Sequence, residues 1–299
     1  MHRHLKALRG FVAVAEELNF TTAAKRLHVA QPALSRQIQA LESELGMELF
    51  ERNRRTVSIT QSGQVLLPVV RRMIRDFDHA VATGAAAQRS KEMVLRVGFA
   101  SAAINAISTP TIQRFGQRHA GWRVTMVQVN WDDPTGGVAS GRTDVAFVRL
   151  PMFDHAVTST PLHTEPHQLA IPVDHKFADR DVIEFDEPLG EPFVAITTAS
   201  GAWRDWWLMT HLRGRAEAII GAEVETPDEW FAAISTGAGV AITPRSTAAY
   251  YTRPGIAFRA LNGVPPSTAG IIKRRGDRRR IVDDFVSAAA ECAEVGFGM

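Results

Sequence analysis

The 299-residue chain contains a single cysteine, Cys292, so no disulfide can form within it, and the reducing cytoplasm is its expected setting. No apolar run approaches the roughly 18 residues of a membrane span. The N-terminus also lacks the basic-then-apolar layout of a secretory signal, so a soluble protein with no membrane partner is expected. Enzyme signatures are missing too: there is no Walker loop, G-x-S-x-G, H-E-x-x-H or G-x-G-x-x-G, and Gly237-Ala238-Gly239-Val240 stops short of a dinucleotide loop. His163 and His167 stand four apart, but Pro166 between them argues against one helical metal-binding face. Cys292 falls in the apolar stripe of a C-terminal helix, as a buried thiol would. The expectation is a protein with no catalytic residue, no metal and no cofactor.

The charge is nearly balanced, 34 Lys+Arg against 32 Asp+Glu, yet it is not evenly spread. Residues 1–91 hold 14 basic against 8 acidic side chains and residues 92–299 hold 20 against 24, which makes the N-terminal part the candidate for contacting a polyanion. There Leu34, Ile38, Leu41 and Leu45 recur at helical spacing and predict a buried face. Pro32 suits the first turn of that helix, where its missing N–H costs nothing, and Gln31, Ser35 and Arg36 project together from the same end. Gln and Arg are bidentate readers of base edges. A preceding helix over roughly Thr22 to Leu27, capped by Thr21, has the small pair Ala23 and Ala24 for close approach. The stripe Leu5, Leu8, Phe11, Val12, Ala15 and Leu18 supplies a third helix. Arg52, Asn53, Arg54 and Arg55, followed by the alternating Thr56-Val57-Ser58-Ile59-Thr60, predict a hairpin with a basic tip that can reach phosphates or the minor groove.

The segment FVAVAEELNFTTAAKRLHVAQPALSRQIQALESELGMELFERNRRTVSITQSG, residues 11–63, resembles the N-terminal domain of LysR-type transcriptional regulators. One departure is Ala30, where many members carry a Ser or Thr cap; its absence costs roughly 1 kcal/mol by capping energetics. From Gln61 to about Arg89, Leu66, Val70, Met73, Phe77, Ala80 and Gly84 are spaced as a coiled-coil seam, with Thr60 as cap, a bend expected near Gly63 to Pro68, and a small, polar hinge from Thr83 to Lys91. The resemblance implies that this helix pairs subunits.

Beyond Met93 strand-like and helix-like segments alternate. Strands are expected at 94–100, 122–130, 144–148, 168–172, 192–196, 239–243 and 269–273, and helices at 109–118, 204–212, 228–236 and 281–293. SGRTDVAFVRLP (140–151) and TGAGVAITP (236–244) resemble the family's effector-binding half. The fold class is therefore an α+β winged helix-turn-helix domain (1–60), a long linker helix (61–91), and an α/β two-lobed, periplasmic-binding-protein-like (type II) effector domain (92–299). Its first lobe takes about 92–161 and 267–299, and its second about 162–266, with parallel sheets and crossovers near 161 and 267. The loops after the strands make Ser101, Ala102, Trp131, Arg149, Thr197, Thr198 and Ser200 the candidate effector contacts. Backbone N–H groups after Thr198 suit an aromatic or other small carboxylate. Trp203, Trp206 and Trp207 share a helix face that fits a lobe core or subunit interface, and the basic run Lys273 to Arg280 reads as a solvated loop.

The resemblance implies a regulator that binds double-stranded operator DNA of dyad symmetry as a homodimer or homotetramer, under control of a small-molecule effector; RNA polymerase is left open as a further partner. Gln31, Ser35 and Arg36 would read bases, with Pro32 setting their helix, while Thr22, Lys25, Arg52 and Arg54 would hold the backbone or minor groove. The alternative, a two-lobed solute-binding or catalytic protein with an incidental N-terminal bundle, leaves Gln31, Ser35, Arg36 and the basic wing without a purpose.

Overall fold

The computed structural model describes residues 2–52, 56–99, 105–251 and 253–296. Its contacts cluster into two units, Met1–Val81 and Ala82–Met299. In the first unit, helices α1 (His2–Glu17), α2 (Phe20–Arg26) and α3 (Gln31–Leu45) are followed by a two-stranded antiparallel hairpin of β1 (Phe50–Arg52) and β2 (Val57–Ile59). The three helices converge because Phe11, Val14, Ala23, Ala24, Leu34 and Ile38 interlock, and each fully buried Phe, Leu or Ile contributes roughly 1.5–3 kcal/mol. Phe50 closes this core from the hairpin, its ring 5.6 Å from Phe11 and 5.9 Å from Phe20.

Several local expectations are corrected here. Helix α2 begins two residues earlier than the sequence suggests, because Asn19 rather than Thr21 is the cap: its Oδ1 accepts from the N–H of Thr21 and Thr22. Leu45 and Leu18 fall outside the core: Gly46 ends α3 in the left-handed conformation, and Leu18 itself sits at φ 46°.

Helix α4 (Gln61–Lys91) runs unbroken through Pro68, and Thr60 caps it by accepting from the Gly63 N–H. Its predicted seam is split, for Leu66 and Val70 pack on the core of their own chain, while Met73 of the same seam is exposed, together with Val65 and Val69 one position before the buried pair. The expected hinge at Thr83 to Lys91 is helix instead. Ala82 and Ala86 are buried in the second unit, and Arg89 forks onto Asp144 at 2.7–3.2 Å.

The second unit holds two sheets. Strands β3 (Val94–Phe99), β4 (Arg123–Gln128), β5 (Val145–Leu150) and β6 (Val157–Glu165) join the late strand β13 (Ser267–Arg274) in the order β4-β3-β5-β13-β6. Helices α5 (Asn105–Arg118) and α9 (Arg280–Gly296) cover this sheet through Phe115 and Phe285, 5.1 Å apart, and Cys292 is buried with them. The other sheet has the order β11-β7-β12-β8, from β7 (His167–Pro172), β8 (Val182–Glu184), β11 (Ala241–Pro244) and β12 (Ile256–Asn262). Beside it lie the parallel pair β9 (Phe193–Ile196) and β10 (Ile220–Val224), and helices α6 (Ala202–Trp207), α7 (Pro227–Ser235) and α8 (Arg245–Tyr250).

Both main sheets are mixed rather than parallel, since β13 runs antiparallel to β5 and β6, and β7 antiparallel to β11 and β12. The first crossover lies at Pro166 rather than 161, because β6 stays paired with β13 as far as Glu165. Helix α6 stops at Trp207 rather than 212, as Met209 takes a left-handed conformation (φ 51°) and a short 3-10 turn follows. The basic run is not a solvated loop either. Lys273 and Arg274 belong to β13, Arg274 is buried, and Arg279 bonds Asp277, Asp144 and the carbonyl of Ala86.

Candidate functional site

In the first unit the sequence builds a polar surface at the start of α3. Ala30 precedes the helix with no side-chain cap, Pro32 occupies its first turn, and His28 turns the chain from α2 at φ 51°. Gln31, Pro32 and Arg36 are exposed, Ser35 is half-buried, and Thr22 and Lys25 are exposed on α2. The neighbouring Arg26 is not available in the same way, for Glu16 and Glu17 hold it at 2.8 and 3.1 Å. Glu42, on the far side of α3, accepts from the N–H groups of Leu49 and Phe50 at 2.9 and 3.1 Å and so ties the hairpin to the helix. Arg52 lies on β1, at the base of the basic tip; Arg54 lies outside the described residues. The start of α3 thus presents an amide and a guanidinium to solvent, the two side-chain types that bond base edges bidentately.

In the second unit a cavity of about 90 Å³ lies between the lobes. From the first lobe come Trp131, Pro134, Val148 and Arg149; the second contributes β9, α6, α7 and the start of α8. Hydrogen bonds close the gap from several sides. Trp131 N–H donates to the Glu225 carbonyl at 3.0 Å, Ser200 Oγ donates to the Trp131 carbonyl at 2.6 Å, and Trp203 Nε1 donates to the Arg149 carbonyl at 3.3 Å. Arg149 is buried on β5 and pairs with Glu165 at 2.7 Å, its Nη2 also donating to Ser246 Oγ at 2.9 Å. Burial pushes the Arg149 pKa down in spite of the opposing pull of Glu165. His167, at the first crossover, is held against the Pro265 carbonyl at 2.8 Å, and burial lowers its pKa to about 4, so the ring is neutral and Nδ1 donates.

The predicted effector contacts divide. Trp131 and Arg149 line the cavity. Ser200 is buried and spends its hydroxyl on Trp131, while Thr198 is exposed and Thr197 accepts from the Ala199 N–H. The N–H groups of Ser200 and Gly201 bond back to Thr197 and Thr198, so the expected carboxylate cradle is internally filled. Ser101 and Ala102 lie outside the described residues. Sequence reasoning missed Trp230, Phe231, Tyr251, Thr243 and Thr247, and took Trp203 and Trp207 for core or interface. Their signal is the aromatic enrichment at helix starts after strands, visible at Trp203 to Trp207 and at Trp230-Phe231.

The profile of bacterial regulatory helix-turn-helix proteins of the LysR family matches residues 5–64, and that of the LysR substrate binding domain matches residues 88–293. The chain belongs to the LysR family of transcriptional regulators. It is thus a DNA-binding regulator whose second unit is of the small-molecule-binding kind. The regulator is 32% identical to the uncharacterized HTH-type transcriptional regulator YnfL of Escherichia coli (strain K12) over 250 residues, 82% of this chain and 84% of that one. To the HTH-type transcriptional regulator BenM of Acinetobacter baylyi it is 35% identical over 171 residues, 57% of this chain and 56% of BenM. Among solved structures, full-length BenM is similar with a TM-score of 0.55 at 25% identity, covering 99% of this chain and 98% of that one. CbnR complexed with its target DNA gives 0.51 at 26% identity, covering 97% and 99%. The winged helix-turn-helix, linker helix and two-lobed α/β architecture read from the sequence is the architecture observed.

Proposed function

We propose that this regulator reads an operator of dyad symmetry with Gln31, Ser35 and Arg36 of α3, while Thr22, Lys25, Arg52 and Arg54 hold phosphates or the minor groove and Pro32 fixes the first helical turn. The observation that carries this reading is the exposed end of α3, where Gln31 and Arg36 face solvent, as Lys25 does on α2. The solved complex of the similar CbnR with its target DNA supports DNA binding by a chain of this architecture.

The working form is a homodimer or homotetramer. The exposed apolar row Val65, Val69 and Met73 on α4, spaced four by four, supports pairing of two such helices. In functional terms residues 1–60 contact DNA, 61–91 link and pair subunits, and 92–299 bind a small aromatic effector in the inter-lobe cleft. The effector changes the population of lobe arrangements and so the spacing of DNA-binding heads in the oligomer. The regulator acts in the cytoplasm and by binding rather than catalysis, and RNA polymerase is a further contact of the DNA-bound form.

The test is a pair of substitutions read by mobility shift. Arg36→Ala should weaken operator binding by about 1–3 kcal/mol and relax discrimination at the base pair it reads, narrowing the preference for operator over bulk DNA. Lys25→Ala should weaken all sequences alike and lower the salt slope by about one. Operator preference unchanged in Arg36→Ala refutes the assignment of α3.

A further inference from the structure

The charge of the cavity wall bears on which effectors it accepts. Among the described residues Arg149 is the one ionised side chain lining it. That charge is cancelled where it stands, for Glu165 Oε1 lies 2.7 Å from Arg149 Nη2 and the two side chains are only 7% and 9% exposed. Glu165 is fixed in turn, accepting from both the N–H and the hydroxyl of Ser246. A ligand carboxylate in this cavity would be stripped of water beside a pair with no net charge. That is an unfavourable place for an anion. Nor do the amides of residues 199–201 help, since all three already have partners.

The rest of the wall is rich in rings. Trp131 meets Trp230 edge to face at 6.5 Å, Trp203 meets Trp207 in the same way at 5.8 Å, and Phe231 and Tyr251 complete the surface. Its hydrogen-bonding capacity is neutral. Trp207 Nε1 is buried with no partner. Thr243 donates to Thr247 at 2.8 Å, which leaves that hydroxyl pair one proton to offer. The 90 Å³ of space is smaller than the roughly 150 Å³ cavity that takes up benzene, so even a single ring requires the wall to give way, and a larger ligand requires more.

We propose that the effector class of this regulator is an uncharged, single-ring aromatic molecule carrying one hydrogen-bond acceptor, and that Glu165 sets this preference by cancelling the charge of Arg149. The proposal rests on the cleft being the effector site.

The isosteric pair benzamide and benzoate tests it on the full-length protein at neutral pH, with tryptophan fluorescence and thermal shift as readouts. The expected result is binding of benzamide at least about tenfold tighter than benzoate. In Glu165→Gln, where Arg149 keeps an uncompensated charge, that ratio should fall by at least about tenfold or invert. The double variant Arg149→Met, Glu165→Leu deletes the pair together and should keep the preference for benzamide, whatever the folding of the single variant. Benzoate binding as tightly as benzamide to the unaltered protein, or a ratio that Glu165→Gln leaves in place, overturns the proposal. So does the absence of any response to both benzamide and acetophenone. Thr247→Trp, which fills the cavity, separates the two claims: a benzamide response that survives it overturns the cleft as the site.

Discussion

Asp144 ties the end of α4, the strand β3 and the segment before α9 together in the second unit, and Asp144→Asn tests what that is worth. Its carboxylate has no exposed side-chain surface, and three groups converge on it: the Arg89 fork at 2.7–3.2 Å, Arg279 Nη2 at 3.0 Å, and the Arg96 N–H at 2.9 Å. Asparagine keeps one acceptor oxygen but leaves the buried Arg89 without a counter-charge. Breaking a buried pair in this way costs about 3–5 kcal/mol, against roughly 5–15 kcal/mol of total stability. For a unit of this size the melting temperature should fall by roughly 6–20 °C. All six tryptophans lie beyond residue 82, so fluorescence during urea unfolding reports this unit alone. Adding Arg89→Met to Asp144→Asn should recover a large part of the loss, because the stranded cation is then gone. A loss below about 1 kcal/mol, in the range of an ordinary surface substitution, refutes the reasoning.

Three further outcomes follow. Ala30→Ser should slow amide exchange in the first turn of α3 and stabilise the first unit by about 0.5–1 kcal/mol, since Ala30 already has the extended backbone of a cap (φ −70°, ψ 134°) and lacks only the oxygen. Gly63→Ala places a Cβ 2.5 Å from the Leu49 carbonyl and 2.7 Å from Ile59 Cγ1, and should cost about 1–3 kcal/mol in thermal unfolding followed by circular dichroism. His167 is held neutral by burial with a pKa of about 4 against 6.5 when free, so the unfolded chain gains its proton first as pH falls. Its contribution is full above pH 6.5 and is lost toward pH 4, on the order of 3 kcal/mol in all; His167→Gln should flatten that part of the stability curve.

The helix-turn-helix was legible because its determinants are local: the spacing of Leu34, Ile38 and Leu41, the place of Pro32, and the small pair Ala23 and Ala24. Where it was misread, a neighbouring group outcompeted the expected one. Asn19 caps α2 because its Oδ1 accepts from two N–H groups at once, and Leu45 is the last residue of α3, with Gly46 turning the chain away directly after it. The errors grow where distant partners decide. Thr83 to Lys91 reads as a flexible hinge until Asp144, 55 residues beyond Arg89, takes hold of it. Arg274 reads as solvated until strand pairing buries it. Strands β6, β8, β10 and β12 were not foreseen: β6 contains Pro161, which reads as a strand breaker, and β10 carries Gly221, which breaks the apolar alternation. In the cleft, single residues such as Trp131 and Arg149 could be named from the ends of strands. Their partners Trp230, Thr247 and Tyr251 arrive from α7, α8 and the residue that follows α8, far along the chain, and the neutralising Glu165 comes from the end of β6, a different strand of the sheet.

The most direct test of the central claim is a mobility shift and footprint of the full-length protein on DNA flanking its own gene, over a salt series and with bulk DNA as competitor. A footprint of dyad symmetry that withstands the competitor, with affinity falling steeply as salt rises, is the predicted result. Binding that bulk DNA removes completely at every salt concentration, with no protected site, would contradict it.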